Sequence, residues 1–434
     1  MRVILFTGKG GVGKTTTAAA TAVRAARSGI KTLVMSTDAA HSLGDALDVD
    51  LTASAAGLPD ESGPAQTVEV EPGLSAMQIN APHSLGGSWR VVQEYLLSVL
   101  ATLGIDAVVA EELTSLPGAE EIAALLELRS QVDSGPWDLV VVDCAPTAET
   151  LRLLALPEAI SGYLERLYPA HRRAVRGLLA GVANGAPGSR AGQAGAAALR
   201  WDATADALGR LAEHLTGLRE MLADHDTTSI RLVLTPERMV AAETRRTMTA
   251  LALHGLRVDG VVANRVAPAI APSYRGPAAR WLRERHAEQQ EVLAELTATY
   301  AGTEDGPGLR IVPYTAAEPI GVPALAELAD QLYGAHEPLA GADGAPLLAV
   351  RRTGGDGTSL ESEFELVLRL PGLTGDTPLD LSRVDDELAV TVSGVRRLVS
   401  LPSMLGRCTV HGARIAADEL VVVFRPDPSV WMLR

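Results

Sequence analysis

Through the first three quarters of the chain, apolar residues gather in short, nearly unbroken runs at 3–6, 32–35, 139–142, 231–234, 261–263 and 311–313. Between them lie amphipathic stretches at 16–28, 88–103, 120–131 and 242–253. A run apolar at every position suits a strand covered on both faces, and a return every three or four residues is the period of a helix. The alternation predicts an α/β fold with a parallel sheet flanked by helices, and a ligand at the carboxyl ends of the strands. Residues 161–226 break this rhythm, with a helical pattern around a Gly- and Ala-rich middle at 177–198. They read as a helical insertion carrying a loop, or as a surface insertion without a role.

The pattern changes again near residue 336. Residues 336–360 are rich in Gly, Ala, Pro and Asp, the composition of a linker. Apolar and polar positions then alternate at 364–370, 388–392, 397–401 and 420–424, with Gly and Pro between the runs. This predicts a small all-β sandwich over 361–434. The first part, ending near 335, is the larger domain.

Composition narrows the classes. Hydrophobic residues make up 47% of the 434 and aromatics only 3%, so Ala, Leu and Val must fill the core. The formal charge of −15 argues against a nucleic-acid partner, which needs a basic face. Cys144 and Cys408 stand far apart, which excludes a disulfide framework and fits a reducing cytosol. The apolar start at 3–6 is too short for a signal-peptide core, and no run reaches the ~20 apolar residues of a membrane span. A soluble cytoplasmic protein, not itself membrane-spanning, is expected.

Directly after the first apolar run stands Gly8-Lys9-Gly10-Gly11-Val12-Gly13-Lys14-Thr15-Thr16. It fits the phosphate-loop pattern in its proper setting, between a strand and a helix. Glycines let backbone N–H groups converge on an anion, and the helix N-terminus adds its positive dipole end. Lys14 is expected to reach the β- and γ-phosphates of ATP and the Thr15 hydroxyl to ligate Mg²⁺. Gly8, Gly10, Gly11, Val12, Gly13 and Thr16 complete the cradle. Asp38, in Ser36-Thr37-Asp38-Ala39-Ala40-His41-Ser42, and Asp143, in Asp143-Cys144-Ala145-Pro146-Thr147, both follow apolar runs, where a carboxylate can face the nucleotide.

These strings resemble a known family. The loop with its extra Lys9 is similar to the deviant Walker A of the deviant-Walker ATPases. The Asp38 and Asp143 segments resemble switch I and switch II of the ArsA family, the arsenite-pump and guided-entry tail-anchored-protein targeting ATPases. Pro117-Gly118-Ala119-Glu120-Glu121, the string from Leu232 through Pro236-Glu237 to Val240, and Val261-Val262-Ala263-Asn264-Arg265-Val266 resemble further family segments, in family order, across residues 1–333. The resemblance implies ATP hydrolysis in a nucleotide-dependent homodimer. In it, Lys9 reaches the partner's nucleotide and offsets charge in the transition state, Asp38 orients or deprotonates the attacking water, and Asp143 holds the Mg²⁺ shell. Asn264 bonds the adenine edge. The plain alternatives are a solvated Lys9 on the loop rim, cap or turn roles for the acids and a turn role for Asn264. His41 reads as a switch-loop hydrogen-bonder rather than a metal ligand, because the nine histidines show no ligand spacing. Residues 398–402, 410–414 and 420–424 resemble an α-crystallin-like domain appended to some ArsA homologues.

The sequence also departs from the family. Arsenite pumps hold the metalloid through three thiolates, which two cysteines cannot supply within one chain. The Cys-x-x-Cys zinc clip of the targeting ATPases is absent, and Cys144, Ala148 and Glu149 replace the usual Thr, Gly and His of switch II. The expected output is handling of an apolar protein client or a membrane-protein partner. The alternatives are energising metalloid efflux, or a nucleotide-binding scaffold with little turnover.

Overall fold

The structure, a computed structural model, describes residues 1–37, 42–51, 67–79, 119–144, 213, 216–300, 308–339, 346–373, 375 and 377–431. Asp38 and His41, most of the expected insertion at 161–226 and the helical stretch at 88–103 lie outside them, as does switch II beyond Cys144. The chain divides into two compact units, one of residues 1–3, 25–227 and 320–322, the other of 4–24, 228–319 and 323–434. Strand β1 (Arg2–Thr7) and helix α1 (Lys14–Arg27) each run through both.

In the first unit, β2 (Thr32–Ser36), β3 (Val68–Glu71), β4 (Leu74–Gln78) and β5 (Leu139–Asp143) lie in the order β3-β4-β2-β5, with α2 (Ser42–Leu47) and α3 (Ala119–Ser134) between them in sequence. β2 pairs in parallel with β4 and β5, and β3 turns back antiparallel on β4. Every residue of β2 and β5 is buried, as expected of strands apolar on both faces.

The second unit continues the α/β pattern with β6 (Thr228–Leu234), α4 (Arg238–Leu253), β7 (Val258–Val266), α5 (Pro277–Tyr300), β8 (Gly308–Pro313) and α6 (Gly321–Tyr333). β6, β7 and β8 are parallel neighbours. The 24-residue α5 escapes the hydrophobic pattern because it buries only Ala279, Gln289, Val292, Leu293, Leu296 and Tyr300. One polar network lies within this unit. Arg231 of β6, fully buried, pairs with Asp259 of β7 at 3.1 Å. It donates to the Tyr333 hydroxyl at 2.7 Å and to the Pro338 carbonyl at 2.5 Å. Tyr333 meets Thr21 of α1 at 2.7 Å, and Thr21 donates on to the Thr17 carbonyl. Burial alone would push the guanidinium down, but Asp259 and Tyr333 more than offset it and hold it above its ordinary value.

The β part comprises β9 (Leu348–Gly354), β10 (Glu363–Arg369), β11 (Leu379–Val384), β12 (Glu387–Val392), β13 (Val395–Ser400), β14 (Cys408–Ala416) and β15 (Glu419–Pro426). They form two antiparallel sheets, β14-β15-β10-β9 and β11-β12-β13. Phe364, Leu366 and Leu368 of β10 share a core with Leu388, Val390 and Val392 of β12 and with Leu420, Val422 and Phe424 of β15. This is the expected sandwich. One more strand, β9, lies within the stretch read as linker at 336–360 and pairs along β10 from Leu348↔Leu368 onward. Two arginines in a Gly-rich setting hid an edge strand that is only half covered. The same core takes in Ala252 and Leu253 from the end of α4. Arg397 donates to the Leu253 carbonyl, and Thr249 donates to the Pro371 carbonyl at 2.7 Å.

Candidate nucleotide site

The glycine-rich loop joins β1 to α1. Its inner side is closed and its rim is open. A Cβ on Gly8 would stand 2.1 Å from the Val233 carbonyl oxygen, and one on Gly13 would stand 2.2 Å from Asn264 Nδ2. Gly13 also has φ +94°, which side chains rarely adopt, so it is doubly confined to glycine. At Gly10 and Gly11 an added Cβ would meet nothing within 4 Å. A narrow floor and an open rim are what a phosphate group needs for close approach to backbone N–H groups.

Lys14 opens α1 and is only 7% exposed. Its ammonium lies 3.5 Å from the Lys9 carbonyl and so stays folded over the loop. Val12 is buried, while Thr15 and Thr16 are half-buried in the first turn. Thr17, one turn along α1, returns its hydroxyl to the Gly13 carbonyl at 2.9 Å. Lys9 stands at the rim, about half exposed, and its ammonium pairs with Glu243 of α4 at 3.6 Å.

Asn264 sits at the carboxyl end of β7, where a strand-end ligand residue is expected. Its amide is engaged with the loop, for Nδ2 donates to the Val12 carbonyl at 2.9 Å and Oδ1 accepts the Arg265 N–H at 2.9 Å. Arg265 reaches the loop as well, donating to the Gly11 carbonyl at 2.8 Å. Neither Arg265 nor Glu243 was expected at the site. Arg265 was signalled only as the neighbour of Asn264, and nothing in the local pattern around Glu243 marks it.

Asp143 and the start of the Asp38 segment lie in the first unit. Register sets Ser36 beside Asp143 at the carboxyl ends of β2 and β5. Asp143 is fully buried, accepts the Ser36 hydroxyl at 3.2 Å and offers its carbonyl to the Thr37 N–H at 3.0 Å. The two switch segments therefore start from one hydrogen-bonded pair of strand ends. Cys144 follows, buried. Among the described residues no group of three or more His, Cys, Asp or Glu forms a metal cluster, and no helix is long and apolar enough to cross a membrane.

The sequence matches known proteins along its length. The family model for anion-transporting ATPases, ArsA_ATPase, matches residues 1–334, and that for the HSP20-like domain found in ArsA matches residues 361–424. Protein Rv2184c of Mycobacterium tuberculosis is 38% identical over 99% of this chain and 97% of its own length. A Chlorobaculum tepidum protein, whose name assigns it provisionally as an arsenical pump-driving ATPase, is 32% identical over 93% of this chain and 91% of its own. ATPase GET3B of Arabidopsis thaliana is 29% identical over 60% and 63%.

Proposed function

Because the chain belongs to the anion-transporting, ArsA-type ATPase family, we propose that it binds Mg²⁺–ATP at Gly8–Thr16 and hydrolyses it in a nucleotide-dependent homodimer. The observation that carries this reading is the loop itself, closed beneath at Gly8 and Gly13, open above Gly10 and Gly11, with Lys14 folded over it. Lys14 holds the β- and γ-phosphates, while Thr15 and Asp143 are the magnesium-side residues. The ion supplies charge neutralisation and orientation of the phosphates. Asp38 positions the attacking water. Lys9 serves the partner's nucleotide, and its exposure at the rim suits a residue that must leave its own loop. The cycle acts on an apolar protein client or a membrane-protein partner, as the resemblance of the Asp38 and Asp143 segments to the targeting ATPases implies. Division of labour follows the boundaries 1–335, with the insertion at 161–226, and 361–434 preceded by β9.

Sedimentation of wild type and Lys9→Ala with ATP and with ADP, alongside turnover, tests this. Wild type should dimerise with ATP and lose most turnover on the Lys9 substitution. An ATP-independent monomer whose turnover ignores that substitution ends the reading. The name of the Chlorobaculum tepidum relative favours a second role, energising metalloid efflux. It must work without three thiolates from one chain, and burial pushes the Cys408 thiol up, away from the thiolate form that binds soft ions. ATPase stimulation by arsenite that survives Cys144→Ser with Cys408→Ser would argue for a non-thiol site, and no stimulation at all removes this second role.

A further inference from the structure

β7 does not run straight into the site. Its pairing with β8 passes from Ala263↔Ile311 to Val266↔Pro313, so β7 carries one residue more than its neighbour over that interval. The extra residue forms a β-bulge at Asn264–Arg265, and Arg265 takes the left-handed conformation at φ +57°. An arginine there is strained by about 1 kcal/mol or more unless its surroundings hold it. They do. The Arg265 N–H is fixed by Asn264 Oδ1. Gln289 of α5 accepts the Ala267 N–H at 2.7 Å and donates to the Arg265 carbonyl at 3.3 Å, and His286 meets the Ala267 carbonyl at 2.8 Å. Bulges re-aim side chains, and this one turns two consecutive residues onto the same loop.

The two carbonyls they grip, those of Gly11 and Val12, are consecutive and lie more than 250 residues away in sequence. In a nest of backbone amides, the N–H groups converge on the anion only if the intervening carbonyls face outward. We propose that Asn264 and Arg265 are positioning residues for the phosphate loop. They tie the Gly11 and Val12 carbonyls away from the anion so that the nest is formed before nucleotide arrives. Asn264 is the stronger member, being buried with both ends of its amide engaged, whereas Arg265 is exposed and its bond competes with water. The role rests on the nucleotide reading above for its ligand, but not for its geometry. It also differs from reading the adenine edge, because it acts on any polyphosphate whether or not a base is attached.

That difference gives the test. Binding of Mg²⁺–ATP and of Mg²⁺–tripolyphosphate, which has no base, is measured for wild type, Asn264→Ala, Asn264→Asp and Arg265→Ala. Deuterium uptake of the peptide covering residues 8–15 is followed in the nucleotide-free proteins. Asn264→Ala should weaken both ligands by the same factor, about tenfold for a lost buried hydrogen bond, and raise uptake. Asn264→Asp should do at least as much, because a carboxylate would face the Val12 carbonyl. Exposed Arg265→Ala leaves the core untouched and should weaken both ligands by a smaller, still equal factor of about three. A KM rise with kcat nearly kept is the matching kinetic signature. ATP binding that falls while tripolyphosphate binding and uptake stay at wild-type values overturns the proposal and returns Asn264 to base recognition. If wild type binds neither ligand, the nucleotide reading fails, and the uptake comparison alone decides whether the clamp exists.

Discussion

The phosphate loop and the β sandwich occupy the same compact unit and are held by opposite means. At the loop, the binding contacts are polar and distant in sequence, as in Asn264 to Val12, Arg265 to Gly11 and Lys9 to Glu243, with the buried Arg231–Asp259 pair elsewhere in the unit. In the sandwich, antiparallel neighbours interlock apolar residues from both sheets, and its ion pairs, such as Arg425 with Glu363 and Arg414 with Glu365, lie on the outside. Polar locks are directional and fix a geometry, whereas apolar packing fixes a stability and tolerates shape change. A site that must present N–H groups to an anion needs the first kind of support.

Four substitutions put this contrast to the test. The largest effect should come from Asp259→Ala, which strands the fully buried Arg231 guanidinium and should lower unfolding stability by about 3–5 kcal/mol in a urea titration. Leu366→Ala, in the middle of the sandwich core, should cost about 2–4 kcal/mol in the same titration while leaving nucleotide affinity of the folded protein unchanged. An equal loss of affinity in the Leu366 variant would erase the contrast. Glu243→Gln removes a half-exposed ion pair and should move stability by less than about 1 kcal/mol. Its readout is kinetic, because freeing Lys9 should lower the protein concentration at which turnover reaches half its maximum.

The smallest change at neutral pH belongs to Tyr300, buried at the end of α5, whose hydroxyl has no hydrogen-bond partner among the described residues. Tyr300→Phe should therefore be neutral or stabilising by up to about 1 kcal/mol. Burial pushes this phenol from its ordinary 10.0 up to about 12. The unfolded chain then ionises first, so wild type should lose stability as pH rises from about 10 toward 12. Thermal unfolding across that range should show the Phe variant without this component.

Legibility in the sequence followed the same divide. The loop could be read because its chemistry is contiguous, from Gly8 to Thr16, and β2, β5 and β6 because each is buried throughout and carries an unbroken apolar run, at 33–35, 139–142 and 232–234. β11 was missed although Leu379-Asp380-Leu381-Ser382 alternates, so a signal was available there. β14 offered no alternation, only the family-like string at 410–414, since it is an edge strand exposed along nearly its whole length and owes its form to pairing with β15. Arg265 and Glu243 could not be placed by pattern at all. Their partners are set by how β1, β7 and α4 come together, which no local period encodes.

Helix α4 bears on how this chain can be cut. Its 16 residues make a stiff rod of about 24 Å, with Glu243 on Lys9 in the first half and Ala252 and Leu253 inside the sandwich core at the other end. A chain shortened after α6 would expose those two side chains to water and leave the Leu253 carbonyl without the Arg397 guanidinium that now satisfies it. The sandwich is thus part of the hydrophobic seal on a helix that touches the glycine-rich loop. An ATPase region prepared by itself needs polar replacements at Ala252 and Leu253 before its solubility or turnover can be compared with that of the whole protein.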